Sequence, residues 1–329
     1  MSKKEKPLIT IITPTWNREF FLRKLADSLE SQTIKNFEWI VGNDGSIDNT
    51  DEFIRSFSKK ANFKITYINS SLRIGKAALD NILLEHVKSE YVSWCGSDDF
   101  LLPDAIENIS KLILQIPNHE KKQYVGIYAQ NVDLFNKSQT FHEKNLLKET
   151  KNVTWEYVCE FIKGDGTIIE RTEILKGKKF LEVDFLISES SFFLDLYKKK
   201  KFIFTPIIVK KMNRSAENSI SFGKKLLYCK GSAYCISIVE TPEHFDKHSF
   251  LKKLKVITNF WRYSIHGDID FLEAKKMVKS IDKNSFYLFL YFVGAIICLR
   301  DIMLGKIEKT HIEFDRNIKN RKISVELLN

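Results

Sequence analysis

Residues 91–104 read YVSWCGSDDFLLPD. The first five are β-branched, aromatic or small and carry no charge, which suits a strand covered on both faces, and Gly96 ends the run. Asp98 and Asp99 follow at the strand's carboxyl end, the edge at which open α/β sheets bind ligands, and Pro103 sits where a helix begins. Two carboxylates held close repel unless something positive joins them. A hard cation such as Mg²⁺ or Mn²⁺, bridging to phosphate oxygens, would do so. On these residues alone, a solvated turn or a helix cap explains the pair equally well.

Upstream, residues 8–13 (LITIIT) form a β-rich apolar run closed by Pro14, and the loop TWNRE after it is rich in hydrogen-bonding groups. Phe21, Leu22, Leu25 and Leu29 recur at helical spacing. Residues 37–42 return to strand, and 43–50 (NDGSIDNT) are a turn cluster whose Asp44 faces the same sheet edge. A helix is predicted over 51–60 and a strand over 64–69. In 72–81 (LRIGKAALDN), Gly75 is a pivot between Arg73 and Lys76, cations suited to a pyrophosphate or to answering Asp44. This βαβαβ order demands a parallel sheet with right-handed crossovers.

Downstream, Ile106, Ile109, Leu112, Ile113 and Ile116 keep a helical period up to Pro117. Residues 123–135 read as a strand pair or one long strand, 137–151 as an exposed loop or insertion, and 153–163 as a helix ending at Gly164-Asp165-Gly166. In 184–200 (DFLISESSFFLDLYKKK), Phe185, Phe192, Leu196 and Tyr197 share a helical face, and Glu189 starts the helix, where the dipole favours a carboxylate. Capping or plain surface charge accounts for Glu189 as well. Residues 202–209 read as strand and 210–221 as a polar loop able to close over a ligand. Helical signals dominate from Phe222, which sets the expected domains at 1–221 and 222–329.

Lysine and arginine number 52 against 42 acidic residues, a net charge of +10, which favours anionic partners. The five cysteines lack CxxC spacing, and the N-terminus lacks the apolar core of a signal peptide, so a reducing, cytoplasmic compartment is expected. Residues 286–299 carry no charge but are short for a membrane span; a core helix and an interfacial segment both fit. Trp261, Tyr263, Tyr287 and Tyr291, with Arg300, Lys306, Lys309 and Arg316 nearby, favour peripheral attachment to the anionic inner face of a membrane. There is no GxxxxGK[ST] loop and no GxGxxG fingerprint, which weighs against P-loop kinases and nicotinamide dehydrogenases, and with no GxSxG elbow serine-hydrolase chemistry has no anchor. His244 and His248 share a helix-turn spacing, for which a solvated face is a commoner reading than a metal site. The basic tail carries no module of basic and aromatic residues, so nucleic acid is not an expected partner.

Taken in order, these motifs resemble family 2 glycosyltransferases of the GT-A fold. Pro14-Thr15-Trp16-Asn17 stands for the family's P-x-Y-N, and Ser28-Leu29-Glu30-Ser31-Gln32 fits S-L-x-x-Q. Asp44 to Thr50 keeps D-G-S-x-D-x-T, residues 73–81 keep part of N-x-G-x-x-x-A-x-N, and Gly96-Ser97-Asp98-Asp99 stands for D-x-D-D. The resemblance spans about residues 8–220. It implies an α/β fold, a Rossmann-like, mostly parallel sheet flanked by helices, with a helical C-terminal region. It also implies sugar transfer, with inversion, from a nucleoside diphosphate donor, commonly UDP-linked, to a glycan or lipid-linked saccharide in surface polysaccharide assembly. On that resemblance Thr13, Pro14, Thr15, Asn17 and Asp44 hold base and ribose, Arg73 supports them, Asp98 lies near ribose or metal, and Asp99 binds Mn²⁺ or Mg²⁺. The family's base lies at a helix start, often as the Asp of a Glu-Asp pair; Glu189-Ser190 here makes Glu189 the candidate catalytic base. Gly96 and Ser190 depart from the pattern. If Glu189 is a cap, the chain becomes a non-catalytic nucleotide-sugar-binding or scaffold protein of an assembly complex.

Overall fold

The computed structural model describes residues 6–134, 149–162, 166–183, 185, 187–213, 229–282, 288–305 and 322–328. The chain divides into two compact units. One comprises Met1–Leu181, Leu196–Ser219 and Phe314–Asn329, the other Glu182–Asp195 and Ile220–Glu313.

In chain order the elements are β1 (Ile9–Thr15), α1 (Glu19–Glu30), β2 (Phe37–Asp44), α2 (Thr50–Ser58), β3 (Lys64–Ser70), α3 (Lys76–Glu85), β4 (Tyr91–Trp94), β5 (Phe100–Leu101) and α4 (Ala105–Ile113). There follow β6 (Tyr124–Asp133), β7 (Lys151–Thr154), α5 (Trp155–Phe161), β8 (Thr167–Arg171), α6 (Thr172–Leu175), α7 (Ser190–Tyr197) and β9 (Lys201–Met212). The last are α8 (Cys229–Val239), α9 (Pro242–Asp246), α10 (Phe250–His266), α11 (Phe271–Ile281), α12 (Leu290–Met303) and β10 (Ile323–Leu327).

The first unit is built on one sheet of order β10-β3-β2-β1-β4-β8-β6-β9-β5, with β7 also paired to β9. Strands β3, β2, β1 and β4 are parallel, as the βαβαβ order demands. β1 lies between β2 and β4 and is buried along almost its whole length, which is why ITIITPT is apolar or small at nearly every position. The helices add Leu22, Leu25 and Leu29, then Phe53, Ile54 and Phe57, then Ile106, Ile109 and Leu112 to one core. Each such side chain contributes roughly 1.5–3 kcal/mol when fully removed from water. The rest of the sheet is mostly antiparallel: β8 pairs with β4 and β6, while β5 and β7 pair with β9. Hydrophobic pattern marks strands but not their direction, so this half of the sheet was not specified by reading 123–209.

Two differences from the sequence reading bear on function. Lys210 and Lys211 are not loop residues but the end of β9, where they pair with Leu101 and Phe100 of β5; the rest of that expected loop, 214–221, lies outside the described residues. The region after residue 222 is also not helical throughout, because β10 pairs antiparallel with β3, and Arg55 of α2 donates to Glu326 through Nη1 and Nη2, at 2.6 and 2.9 Å. The expected loop at 137–151 is described only from 149, and Tyr287, Lys306, Lys309 and Arg316 lie outside the described residues.

In the second unit, α8 to α12 pack around Phe245, Ile257, Phe260, Trp261, Ala274, Val278 and Ile281. Gly294 of α12 has no room for a Cβ, which would come 2.8 Å from Trp261 Cβ, so the two helices cross closely there. Asp301, fully buried on α12, accepts from Arg262 Nε at 2.6 Å and sits 3.4 Å from His266 Nε2. Burial disfavours its charge, but hydrogen bonds from Arg262 and Arg300 outweigh that and hold its carboxyl below the ordinary value. Among the described residues, no helix is long and apolar enough to cross a membrane.

Candidate functional site

The loop from β1 to α1 is the hub of the first unit's carboxyl edge. Asn17 is in the left-handed region (φ 49°), its backbone N–H donates to Ser46 Oγ at 2.8 Å, and its Oδ1 accepts from Ile47 N–H at 2.8 Å. An asparagine suits this position because its short amide bonds locally in that conformation. Trp16 lies under the Arg73 guanidinium, 3.5 Å from its ring centre. Arg18 Nη1 donates to Asp98 Oδ2 at 2.5 Å. Three consecutive residues thus reach three different loops.

Asp44 ends β2. Its Oδ1 accepts from Ile74 N–H at 2.6 Å, and both oxygens are within reach of Gly75 N–H, at 3.2 and 3.1 Å. The carboxylate therefore fixes the loop before α3. Gly45, at φ 68°, follows; a Cβ there would meet the Leu72 carbonyl carbon at 2.5 Å, so only glycine lets the two loops touch. Burial lowers the Arg73 pKa, and the charge of Asp44 opposes that shift. Thr13 is spent inside the sheet, accepting the Trp39 indole N–H at 3.0 Å, and Thr15 is buried beside it.

Asp98 and Asp99 converge on Gly96. A Cβ at that glycine would lie 3.1 Å from Asp98 Oδ1 and 3.2 Å from Asp99 Oδ2. Burial, and after it the negative Asp99, raise the Asp98 carboxyl above its ordinary value, with Arg18 opposing. On the other side Asp99 Oδ1 accepts from Asn213 N–H at 3.2 Å, and Lys210 Nζ lies 3.3 Å from Oδ2. Beneath them burial pushes the Cys95 thiol up to about 12, so it stays protonated and is no nucleophile. Two hard oxygens gathered at one point, one of them in a carboxyl that resists ionisation, fit a hard divalent cation. Asp98 and Asp99 are the residues that would hold it.

A clamp holds this segment in place. Gln32 Nε2 donates to Leu102 O at 2.7 Å and Ser28 O at 3.0 Å, while its Oε1 accepts from Ile106 N–H at 3.1 Å. Ser28 Oγ accepts from Leu101 N–H at 3.2 Å, and Thr33 N–H donates to Pro103 O at 2.9 Å. The S-L-x-x-Q residues therefore pin the chain just after the carboxylate pair. Asn81 does similar work elsewhere, its amide exchanging two hydrogen bonds with the backbone of Phe180, at 2.7 and 3.0 Å.

Sequence reasoning missed Arg18, Lys210 and Asp80. Asp80 is buried between Lys76, 2.6 Å away, and the Trp94 indole N–H, 3.2 Å away. Its only signal was the i,i+4 spacing to Lys76. Lys210 was hidden in a run of charges, and Arg18 in a polar loop. Glu189 belongs to the second unit; it is exposed, and its carbonyl accepts from Phe192 N–H at 2.9 Å as α7 begins.

Residues 10–172 match the model described as Glycosyl transferase family 2. A Campylobacter jejuni protein named GalNAc(5)-diNAcBac-PP-undecaprenol beta-1,3-glucosyltransferase is 26% identical over 196 residues, which cover 60% of this chain and 62% of that protein. The chain spans less than two thirds of the length of the curated relatives it matches first. The crystal structure of S. aureus TarS 1-349 in complex with UDP-GlcNAc superimposes with a TM-score of 0.55 at 15% identity, covering 94% of this chain and 99% of that one. A mannosyltransferase from Pyrobaculum calidifontis, in complex with GDP-Man and Mn²⁺, gives 0.50 at 16%, covering 92% and 89%. At these identities the two structures speak for the fold, a sheet flanked by helices of the GT-A type. By motif order, fold and family match, the chain belongs to glycosyl transferase family 2 through residues 10–172.

Proposed function

We propose that this chain is an inverting glycosyltransferase that moves a sugar from a UDP-linked donor to a hydroxyl of a lipid-linked saccharide during surface polysaccharide assembly. The observation that carries this reading is the meeting of Asp98 and Asp99 at Gly96, on the same sheet edge as the Trp16, Asp44 and Arg73 loops. A donor of this class needs such a surface: a flat face for the base, hydrogen-bonding groups for the ribose, and positive charge for the diphosphate. Trp16 under Arg73 offers the first, and Asn17 in the loop after β1, with Asp44 and Asp98, the second. The relative whose name specifies an undecaprenol-linked substrate, and the TarS complex with UDP-GlcNAc, support the acceptor and donor classes.

Asp99 and Asp98 would hold a divalent Mn²⁺ or Mg²⁺, which when bound would neutralise charge on a departing diphosphate. Arg18 orients Asp98, and Lys210 with the Asn213 N–H orients Asp99. On the family resemblance Glu189 takes the proton of the attacking hydroxyl. Along α12 and at its N-cap, Phe289, Phe292, Ile296, Leu299 and Met303 are all exposed and recur at three- and four-residue spacing. That apolar face supports peripheral attachment to a membrane, where a lipid-linked acceptor resides.

A screen of nucleotide sugars for Mn²⁺-dependent thermal stabilisation tests the donor class, since a ligand of the native state raises its melting temperature. Stabilisation by UDP-sugars, lost in Asp99→Ala, is expected; none with any nucleotide removes the reading. The second reading, a non-catalytic donor-binding protein, is favoured by Ser190 standing where the family's base is usual. It predicts donor binding without transfer or donor hydrolysis, and a Glu189→Gln variant indistinguishable from wild type.

A further inference from the structure

Between α8 and α10 the chain turns a corner through the short helix α9, and three side chains converge there. Glu240 Oε2 lies 2.9 Å from His244 Nδ1 and 3.0 Å from His248 Nε2. All three donor atoms fall within 4.8 Å of one another. The backbone pins the corner: Thr241 Oγ1 accepts from His244 N–H, Phe245 N–H donates to Thr241 O at 2.8 Å, and His248 N–H donates to Phe245 O at 3.0 Å. Phe245 is fully buried and stands edge-on to the His248 ring, which fixes the floor of the cluster.

We propose that Glu240, His244 and His248 form a second metal site, for a borderline dication of the Zn²⁺ type. Two imidazole nitrogens and one carboxylate oxygen are the donor set such ions take, with a further position left to water. Zinc with bonds of about 2.0–2.1 Å needs donors roughly 3.3 Å apart. The two contacts to Glu240 are a few tenths of an ångström shorter, and the two imidazole nitrogens, within 4.8 Å of each other, have to close toward that separation, so side-chain rotations complete the site. A carboxylate oxygen only accepts, so the tautomers that satisfy both contacts place ring N–H groups toward Glu240, where a metal ion would replace their protons. The His248 and Glu240 side chains are 7% and 12% exposed, whereas that of His244 is 46% exposed, so the site has a buried floor and one open side. Nearby charges pair among themselves, Lys247 with Glu243 and Lys253 with Asp246. Nitrogen donors select against Mg²⁺ and Mn²⁺, which suit the oxygens of Asp98 and Asp99 instead. The bound ion ties the residue after α8 to the residue before the Ser249 cap of α10, and stabilises the helical unit without taking part in transfer.

The test uses the untagged full-length chain, stripped with a chelator and titrated with Zn²⁺ against a chromogenic competitor. One tight equivalent is expected, with a visible tetrahedral d–d band when Co²⁺ replaces Zn²⁺. His244→Asn and Glu240→Gln should each weaken Zn²⁺ binding at least about 100-fold, since loss of a mere outer-shell partner already costs about 10–100-fold. His244 is largely exposed, so His244→Asn keeps the fold. Asp99→Asn should keep the Zn²⁺ equivalent while losing any Mn²⁺-dependent nucleotide binding, which separates this site from the proposed donor site. No tight uptake by folded wild type, or equal uptake by wild type and both variants, overturns the proposal.

Discussion

The Lys210 ammonium lies 3.3 Å from Asp99 Oδ2, and the two side chains are only 8% and 11% exposed. A protein cation therefore already faces the carboxylate proposed to bind metal. Lys210→Met should leave Asp99 buried and uncompensated, lowering stability by roughly 2–4 kcal/mol without added metal. Mn²⁺ should restore much of that loss and bind more tightly than to wild type, because its competitor is gone. Urea unfolding with and without Mn²⁺ checks both; equal losses in the two conditions would detach Lys210 from the metal.

Asp98 carries a raised pKa from burial and from Asp99. Its folded value lies above its unfolded value, so the folded state binds the proton more readily, and stability falls as pH rises from the unfolded to the folded pKa. Above that window the ionised group is a standing cost. Asp98→Asn should therefore raise the melting temperature near pH 7, abolish metal-dependent nucleotide binding, and flatten the pH dependence of stability on the mildly acidic side. A lower melting temperature would mean that the bond from Arg18 matters more than the desolvation.

Gln32→Leu keeps the side chain's approximate size but leaves the Leu102 carbonyl and the Ile106 N–H without their partner. The expected loss is about 2–3 kcal/mol by denaturant unfolding. Nucleotide binding measured well below the new midpoint should weaken as well, since the chain after Asp99 is no longer pinned. Unchanged binding in a folded variant would reduce Gln32 to a purely structural role.

Asp301 behaves oppositely to Asp98. Its folded pKa is depressed, so its contribution is complete above the unfolded carboxylate value and disappears as pH falls through the folded one. Acid titration of helical signal should show a loss below about pH 4 that Asp301→Asn removes. That variant should also be less stable at neutral pH, because Arg262 loses its buried anion.

The parallel half of the sheet was legible because β1, β2 and β4 are largely buried on both faces and leave apolar runs in the sequence, broken inside β2 only by Glu38. Asp44, Asp98 and Asp99 were legible for a related reason: carboxylates directly after such runs must emerge at one edge. What the sequence hid was pairing across the fold. Nothing local to Arg18 points to Asp98, 80 positions away, and Lys210 resembled a solvated charge until β9 placed it against β5. β10 was missed because its five residues, ISVEL, follow a strongly charged stretch and gain their meaning only from β3. Gly96 changed sense altogether. It looked like the loss of a metal ligand, yet its missing side chain makes the room in which the two remaining carboxylates meet.

The pairing of β10 with β3 makes the run of helices α8 to α12 an insertion between β9 and β10, and not an appendage to the sheet. Cutting the protein near residue 222 to isolate the sheet would strip β3 of its outer neighbour and Arg55 of Glu326. It would also leave a bare edge open to aggregation. Engineering should instead excise the helices and rejoin β9 to β10 through a short linker, or graft a foreign module between them, treating the last strand as a latch that the first unit needs to close its own border.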